Sequence, residues 1–240
     1  MKNISESLFY LPLLDLCTPG SLSFLDSDES HHAVKVFRHR VGDLLALCDG
    51  KGLQATARLT QANEKRAEVE ILEIQVPTPA PRVHLALAAL KDADLEEVMD
   101  HCAQLDVTSV TILRTDHSLE PRESNLQRTV RRMEMKSLAG LKQSRKSWLT
   151  QVHGPIPIKE WLLSSTHQLV LCDLGGKANL GNAISIQEQE ISVLVGPEGG
   201  FSPFETEAIL QKGALILTLG NTRLRARTCP MIALGAILAQ

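Results

Sequence analysis

Aromatic residues are scarce in this 240-residue chain: Trp, Tyr and Phe together make up 3% of it. That removes the stacking platform on which many single-strand binders lay nucleobases, so any grip on nucleic acid has to come from charge and backbone. Cysteine is also sparse. The five, Cys17, Cys48, Cys102, Cys172 and Cys229, are odd in number, widely scattered and without a C-x-x-C pair, which argues against a disulfide framework and a zinc site. His31 and His32 have no nearby Cys or paired acidic motif, so no metal is expected. Long apolar runs are missing too. The stretch Leu8 to Leu16 is interrupted by Pro12 and Asp15 and has only Lys2 as a basic leader, a poor signal peptide. No run approaches the roughly 20 apolar residues of a membrane span, and a reducing, cytoplasmic compartment is expected.

The chain also lacks a strong charge of either sign, its formal net charge being −3. Local distribution differs from that average. Between Arg122 and Lys146 eight Lys or Arg stand against two Glu, and Lys35, Arg38 and Arg40 lie beside His31, His32 and His39. Two basic patches on an acidic average would orient the molecule on a phosphate backbone; the alternative is a solvated helix face.

What is present divides in two. Val76-Pro77-Thr78-Pro79-Ala80-Pro81 favours extended backbone and forbids a continuous helix. It separates a domain over 1–76 from one over 82–240, with 77–81 as linker. In the first, Leu44 to Cys48, Leu53 to Leu59 and Arg66 to Ile74 read as strands of a small, mostly antiparallel β domain, with one helix near Glu29 to Phe37. In the second, apolar runs at Val83 to Ala88, Val107 to Leu113, Leu169 to Cys172, Ile191 to Val195 and Ala214 to Leu219 alternate with amphipathic stretches. The helices are expected at Asp94 to Leu105, Leu126 to Leu141, Ile158 to Ser164, Pro203 to Lys212 and Pro230 to Ala239. Such alternation predicts an α/β fold with a mostly parallel sheet covered on both faces.

Two loops in that domain carry the chemistry. Ile191 to Val195 runs into Gly196-Pro197-Glu198-Gly199-Gly200, and Ser202, Pro203 and Glu205 then read as a capping box with proline at the first helical position. Glycines after a parallel strand let backbone approach a ligand at the carboxyl edge of the sheet. No Lys follows them, so this is not a Walker loop, and the spacing is not that of a dinucleotide fingerprint. Glu198 would repel a pyrophosphate, whereas a cationic adenosyl sulfonium is easier to accept; a tight structural turn is the alternative. The second loop, Leu219 to Pro230, carries Arg223, Arg225 and Arg227 at alternate positions, suited to phosphate or developing negative charge, or else simply solvated.

Together the two loops resemble the SPOUT class of methyltransferases and, more narrowly, the RsmE family, which methylates N3 of a uridine in 16S ribosomal RNA. Leu194-Val195-Gly196-Pro197-Glu198-Gly199-Gly200-Phe201-Ser202 with Glu205 is similar to that family's most specific motif. His32 to Arg38 with Val41-Gly42-Asp43 resembles its PUA-like domain, and Gln143-Ser144-Arg145 its E-Q-x-x-R element. Leu219-Gly220, Leu224-Arg225 and Thr228 are similar to L-G-x-R-[IV]-L-R-x-E-T-A. The resemblance implies a trefoil-knotted, mostly parallel sheet behind an N-terminal PUA-like β-barrel, and a homodimer acting on 16S rRNA in the small subunit. It implies S-adenosyl-L-methionine (AdoMet) held by Cys172, Val195, Gly196, Glu198, Gly199, Gly200, Leu219, Gly220, Leu224 and Thr228. Arg225 would be catalytic, and Lys35, Arg38, Arg40, Gln143, Arg145, Lys146 and Arg223 would contact RNA.

The match has departures. Thr222 replaces an Arg, Arg227 a Glu, and Cys229-Pro230 the small residues that follow; His101 and Gln104 stand where the family has Lys and Glu, and Lys142 where a Glu precedes Gln143. Changed charge at several positions implies altered specificity, a different RNA target, or a catalytically impaired RNA-binding paralogue in ribosome assembly.

Overall fold

The computed structural model describes residues 7–75, 79–105, 107–118, 123–173 and 190–239, leaving aside the side chains of 123–126. Residues 76–78 of the proline-rich segment and Arg122 of the basic stretch from Arg122 to Lys146 fall outside that range. The chain forms two compact units, Met1–Ala80 with Leu141–Leu149, and Pro81–Gly140 with Thr150–Gln240.

The first unit is built from β1 (Leu8–Tyr10), β2 (Leu22–Phe24), α1 (Ser27–His31), β3 (Leu44–Cys48), β4 (Gln54–Gln61) and β5 (Glu68–Ile74). Its sheet runs β1-β3-β4-β5-β2, antiparallel except for the β1–β3 pair. Period-2 patterning drives it: Ala55, Ala57 and Leu59 of β4 and Val69 and Ile71 of β5 are buried with Leu45 and Leu47, while the residues between them face outward. Asp26 caps α1 by accepting from the Glu29 backbone N–H at 2.8 Å. The helix expected over Glu29 to Phe37 is instead α1 continued by a π-helical turn, His32–Val36.

In the second unit β6 (Val83–Ala88), α2 (Asp92–Gln104), β7 (Val107–Arg114), α3 (Glu123–Ser144), β8 (Gln151–Pro157), α4 (Ile158–Ser164), β9 (Gln168–Cys172), β10 (Ile191–Val195), α5 (Pro203–Gln211), β11 (Leu215–Leu217) and α6 (Cys229–Leu238) alternate along the chain. The six strands lie in the order β11-β9-β10-β6-β7-β8, and every pairing is parallel. Parallel strands need crossovers, so helices cover both faces and the central strands are apolar on both sides. Val83, Leu85, Leu87, Val193 and Val195 pack with α2 and α6, whereas Ala86, Leu194 and Leu113 pack with α4 and α5. Strand β8 has no counterpart in the sequence reading because Gly154, Pro155 and Pro157 look like breakers. It lies at the sheet edge, where prolines without ladder donors are tolerated, and Gly154 fits because a Cβ there would sit 2.4 Å from the Ile112 carbonyl oxygen. Among the described residues no helix is long and apolar enough to cross a membrane.

Candidate cofactor and active site

Because all six strands are parallel, the ends of β9, β10 and β11 share one edge, the carboxyl edge. There the segments that follow β10 and β11, with Asp173 after β9, line a cavity of about 660 Å³. Its floor is formed by Leu171 and Cys172 from β9, Val195 from β10 and Leu217 from β11; its walls are Gly196 to Phe201 and Thr222 to Ala226. Backbone dominates one side of it. Gly200 adopts φ +74°, a left-handed conformation that costs other residues roughly 1–2 kcal/mol, and a Cβ added there would meet nothing within 4 Å.

The glycine loop is held in place by the start of α5. Ser202 accepts from the Glu205 backbone N–H at 3.3 Å, and Glu205 accepts from the Ser202 N–H at 2.8 Å, the reciprocal capping box expected from the sequence. A further loop, not anticipated, follows β7 and joins the network. The Asp116 backbone N–H donates to Glu205 Oε1 at 2.8 Å, the Ser202 hydroxyl donates to Asp116 Oδ2 at 2.6 Å, and His117 Nδ1 lies 3.1 Å from the Gly200 carbonyl oxygen. Its sequence signal was a polar Thr115-Asp116-His117-Ser118 run directly after a buried strand. Glu205→Ala leaves the Ser202 and Asp116 N–H groups without their acceptor. At about 1 kcal/mol for each, urea denaturation is expected to show a loss of about 2 kcal/mol.

Of the expected cofactor residues, Cys172, Val195, Gly196, Glu198, Gly199, Gly200, Leu219 and Leu224 line the cavity. Gly220 and Thr228 do not. Gly220 turns the chain at φ +113°, and Thr228 precedes α6 without a side-chain capping bond. Asp173, Phe201, Thr206 and Cys229 line it in addition. The Cys172 thiol is pushed well above the usual thiol range by its hydrogen bond with Cys229 and by burial, so it stays protonated.

The three arginines of the second loop separate clearly. Arg227 is taken up by α2, with Nη1 3.1 Å from Asp94 and 3.2 Å from Glu97. Arg223 lines the cavity and donates to the Glu198 carbonyl oxygen, tying the two loops together. Arg225 is exposed at the cavity, and its guanidinium meets no side-chain partner among the described residues. Lys142 also has a structural explanation: it pairs at 2.5 Å with Glu29, which is buried and also accepts from the Tyr10 N–H. Gln104 bonds Asp100 one helical turn back. The altered charges at Arg227 and Lys142 thus have local partners.

The residues expected to meet RNA lie in both units. Lys35, Arg38, Arg40, Gln143, Arg145 and Lys146 belong to the first, and Arg223 to the second. Arg38 and Arg40 are exposed, and Lys35 is paired with Glu64 at 3.5 Å. Arg145 is exposed, with φ +56°, and its carbonyl accepts from Gln54.

Residues 77–238 match the model of the RNA methyltransferase domain, and residues 25–72 that of the RNA methyltransferase PUA domain. Among curated relatives, a ribosomal RNA small subunit methyltransferase E of Mycobacterium bovis is 26% identical over 239 residues, covering 96% of this chain and 90% of that protein. The one from Synechocystis is 29% identical over 223 residues, covering 90% and 72%. A crystal structure of the Neisseria gonorrhoeae ribosomal RNA small subunit methyltransferase E bound to S-adenosyl methionine superposes with a TM-score of 0.85 at 25% identity, over 97% of each chain. A Legionella pneumophila methyltransferase shares the fold with a TM-score of 0.84 at 24% identity, over 97% of this chain and 96% of that one.

Proposed function

Because the chain belongs to the RNA methyltransferase family, with its PUA domain in front, we propose that it is an AdoMet-dependent methyltransferase of the small-subunit ribosomal RNA, acting at N3 of a uridine in 16S rRNA. The observation that carries the reading is the cavity itself. It lies at the carboxyl edge of a parallel sheet, is walled by backbone of a capped glycine loop, and is lined by an arginine loop whose Arg225 guanidinium meets no side-chain partner among the described residues.

AdoMet fits this donor set. Gly200 leaves open space for close backbone approach, Glu198 is compatible with a cation and not with a pyrophosphate, and Leu171, Leu217 and Leu224 offer apolar surface. When bound, it supplies the methyl group and its own leaving group, so the protein's task is alignment and charge. The uridine N3 sits on the Watson–Crick edge and carries a proton, so the base has to be unpaired or flipped to reach the cavity. Loss of that proton leaves negative charge on the ring, which Arg225 at the cavity would stabilise. Arg223 would hold the loops in register, and Lys35, Arg38, Arg40, Gln143, Arg145 and Lys146 would hold RNA.

Incubating the purified protein with labelled AdoMet and small subunits lacking the modification tests this reading. Label is expected in one 16S methyluridine, identified by mass spectrometry. Methylation of another base would remove the N3 assignment. Folded protein that neither binds AdoMet nor methylates rRNA would leave only the RNA-binding alternative. Charge makes a separate prediction: RNA affinity should fall with salt, and Arg38→Ala with Arg40→Ala should flatten the log–log slope by about 2 if each meets one phosphate, as filter binding would show. A homodimer in the cytoplasm completes the proposal; sedimentation at micromolar concentration checks the former.

A further inference from the structure

Two histidines and a glutamate distant in the sequence meet at the amino edge of the second unit's sheet. His84 is the second residue of β6, His167 directly precedes β9, and Glu190 directly precedes β10. Strand β10 lies between the other two, with Ser192 opposite His84 and Ile191 opposite Gln168, so parallel register sets the three positions side by side. The two imidazoles stack with centroids 4.3 Å apart. Each Nδ1 lies 2.8 Å from a serine hydroxyl oxygen, that of Ser109 for His84 and that of Ser192 for His167, and both serines are buried.

Those anchors turn both Nε2 atoms toward Glu190. Its Oε2 is 2.8 Å from His167 Nε2 and 3.5 Å from His84 Nε2. The longer contact is not a hydrogen bond, and His84 Nε2 is buried with no hydrogen-bond partner. A buried ring nitrogen left in that state is costly, and a ligand that accepts its lone pair removes the cost.

We propose that His84, His167 and Glu190 form a structural site for a divalent transition metal of the Zn²⁺ class, with the fourth position left to water. Two imidazoles and a carboxylate are a zinc donor set, and hydroxyls engaged at both Nδ1 atoms are the outer partners that orient such ligands. The three ligand atoms lie within 4.8 Å of one another. Ligands about 2.1 Å from one ion stand about 3.4 Å apart in a tetrahedron, and Glu190 Oε2 already lies 2.8 and 3.5 Å from the two ring nitrogens, so small shifts of the half-exposed Glu190 and the ring tips complete the geometry. The ion would tie together the starts of β6, β9 and β10. The cofactor cavity lies at the other ends of those strands, about 16 Å away at roughly 3.3 Å per residue, so the ion takes no part in methyl transfer.

Zinc titration of chelator-treated protein against a competing fluorescent chelator tests the site with no call on AdoMet or RNA. One Zn²⁺ per chain is expected, with the melting temperature rising as zinc is added. Glu190→Gln, at an exposed position that leaves folding intact, and His167→Gln should each weaken zinc at least tenfold and remove the thermal gain. His31→Ala with His32→Ala should change neither. No binding by the wild-type protein, or equal binding by the Glu190 and His167 variants, would overturn the site.

Discussion

Replacing Gly200 by arginine is expected to weaken AdoMet binding by about 100-fold or more, close to 2.7 kcal/mol, while RNA affinity stays near the wild-type value. Two costs combine at this position. A side chain at φ +74° strains the backbone, and an arginine starting from the cavity wall takes volume and adds positive charge where a sulfonium has to sit. Gly213 separates the two. It also has a left-handed backbone, φ +78°, and open space for a Cβ, but it follows α5 and lines no part of the cavity. Gly213→Arg therefore carries the same backbone penalty and should leave AdoMet affinity within about threefold. Calorimetry on both variants, with circular dichroism to verify folding, decides the matter. Equal cofactor affinity in Gly200→Arg and the wild type would place the site elsewhere.

The elements around that loop were legible because their signals are local. A capping box fixes where α5 begins, and an apolar run ending in glycines fixes where β10 stops, so strand and turn were expected where they stand. Strand β8 was hidden because edge position, a tertiary property, is what tolerates its prolines. Asp116 and His117 were missed for a related reason: their partners, Glu205, Ser202 and Gly200, lie far away in the chain. The meaning of the altered charges was likewise non-local. Arg227 and Lys142 looked like losses from a motif until Asp94, Glu97 and Glu29 came into contact with them. His84, His167 and Glu190 gave no signal at all, since metal-ligand spacing is readable only where ligands share a helix or hairpin, and these sit at three separate strand starts.

Arg225→Ala is expected to lower kcat by about 10²–10³ with AdoMet affinity within about threefold of wild type, the loss typical of one donor aimed at developing charge. The three loop arginines make the comparison internal. Arg227 is spent on Asp94 and Glu97, half-exposed pairs worth up to about 1 kcal/mol, so Arg227→Ala should cost stability and spare kcat. Arg223 bridges to the Glu198 carbonyl, so Arg223→Ala should loosen the cofactor loop and appear mainly in AdoMet affinity. Arg225→Lys keeps the charge but loses the planar fork, and partial recovery is expected. A pH profile distinguishes charge stabilisation from a packing defect. A guanidinium beside the ring favours loss of the N3 proton, so without it more of that loss depends on the medium, and the rate of Arg225→Ala should climb toward the wild-type rate as pH rises. A deficit constant across pH would mean that Arg225 positions the loop and that the anionic ring is stabilised by another group.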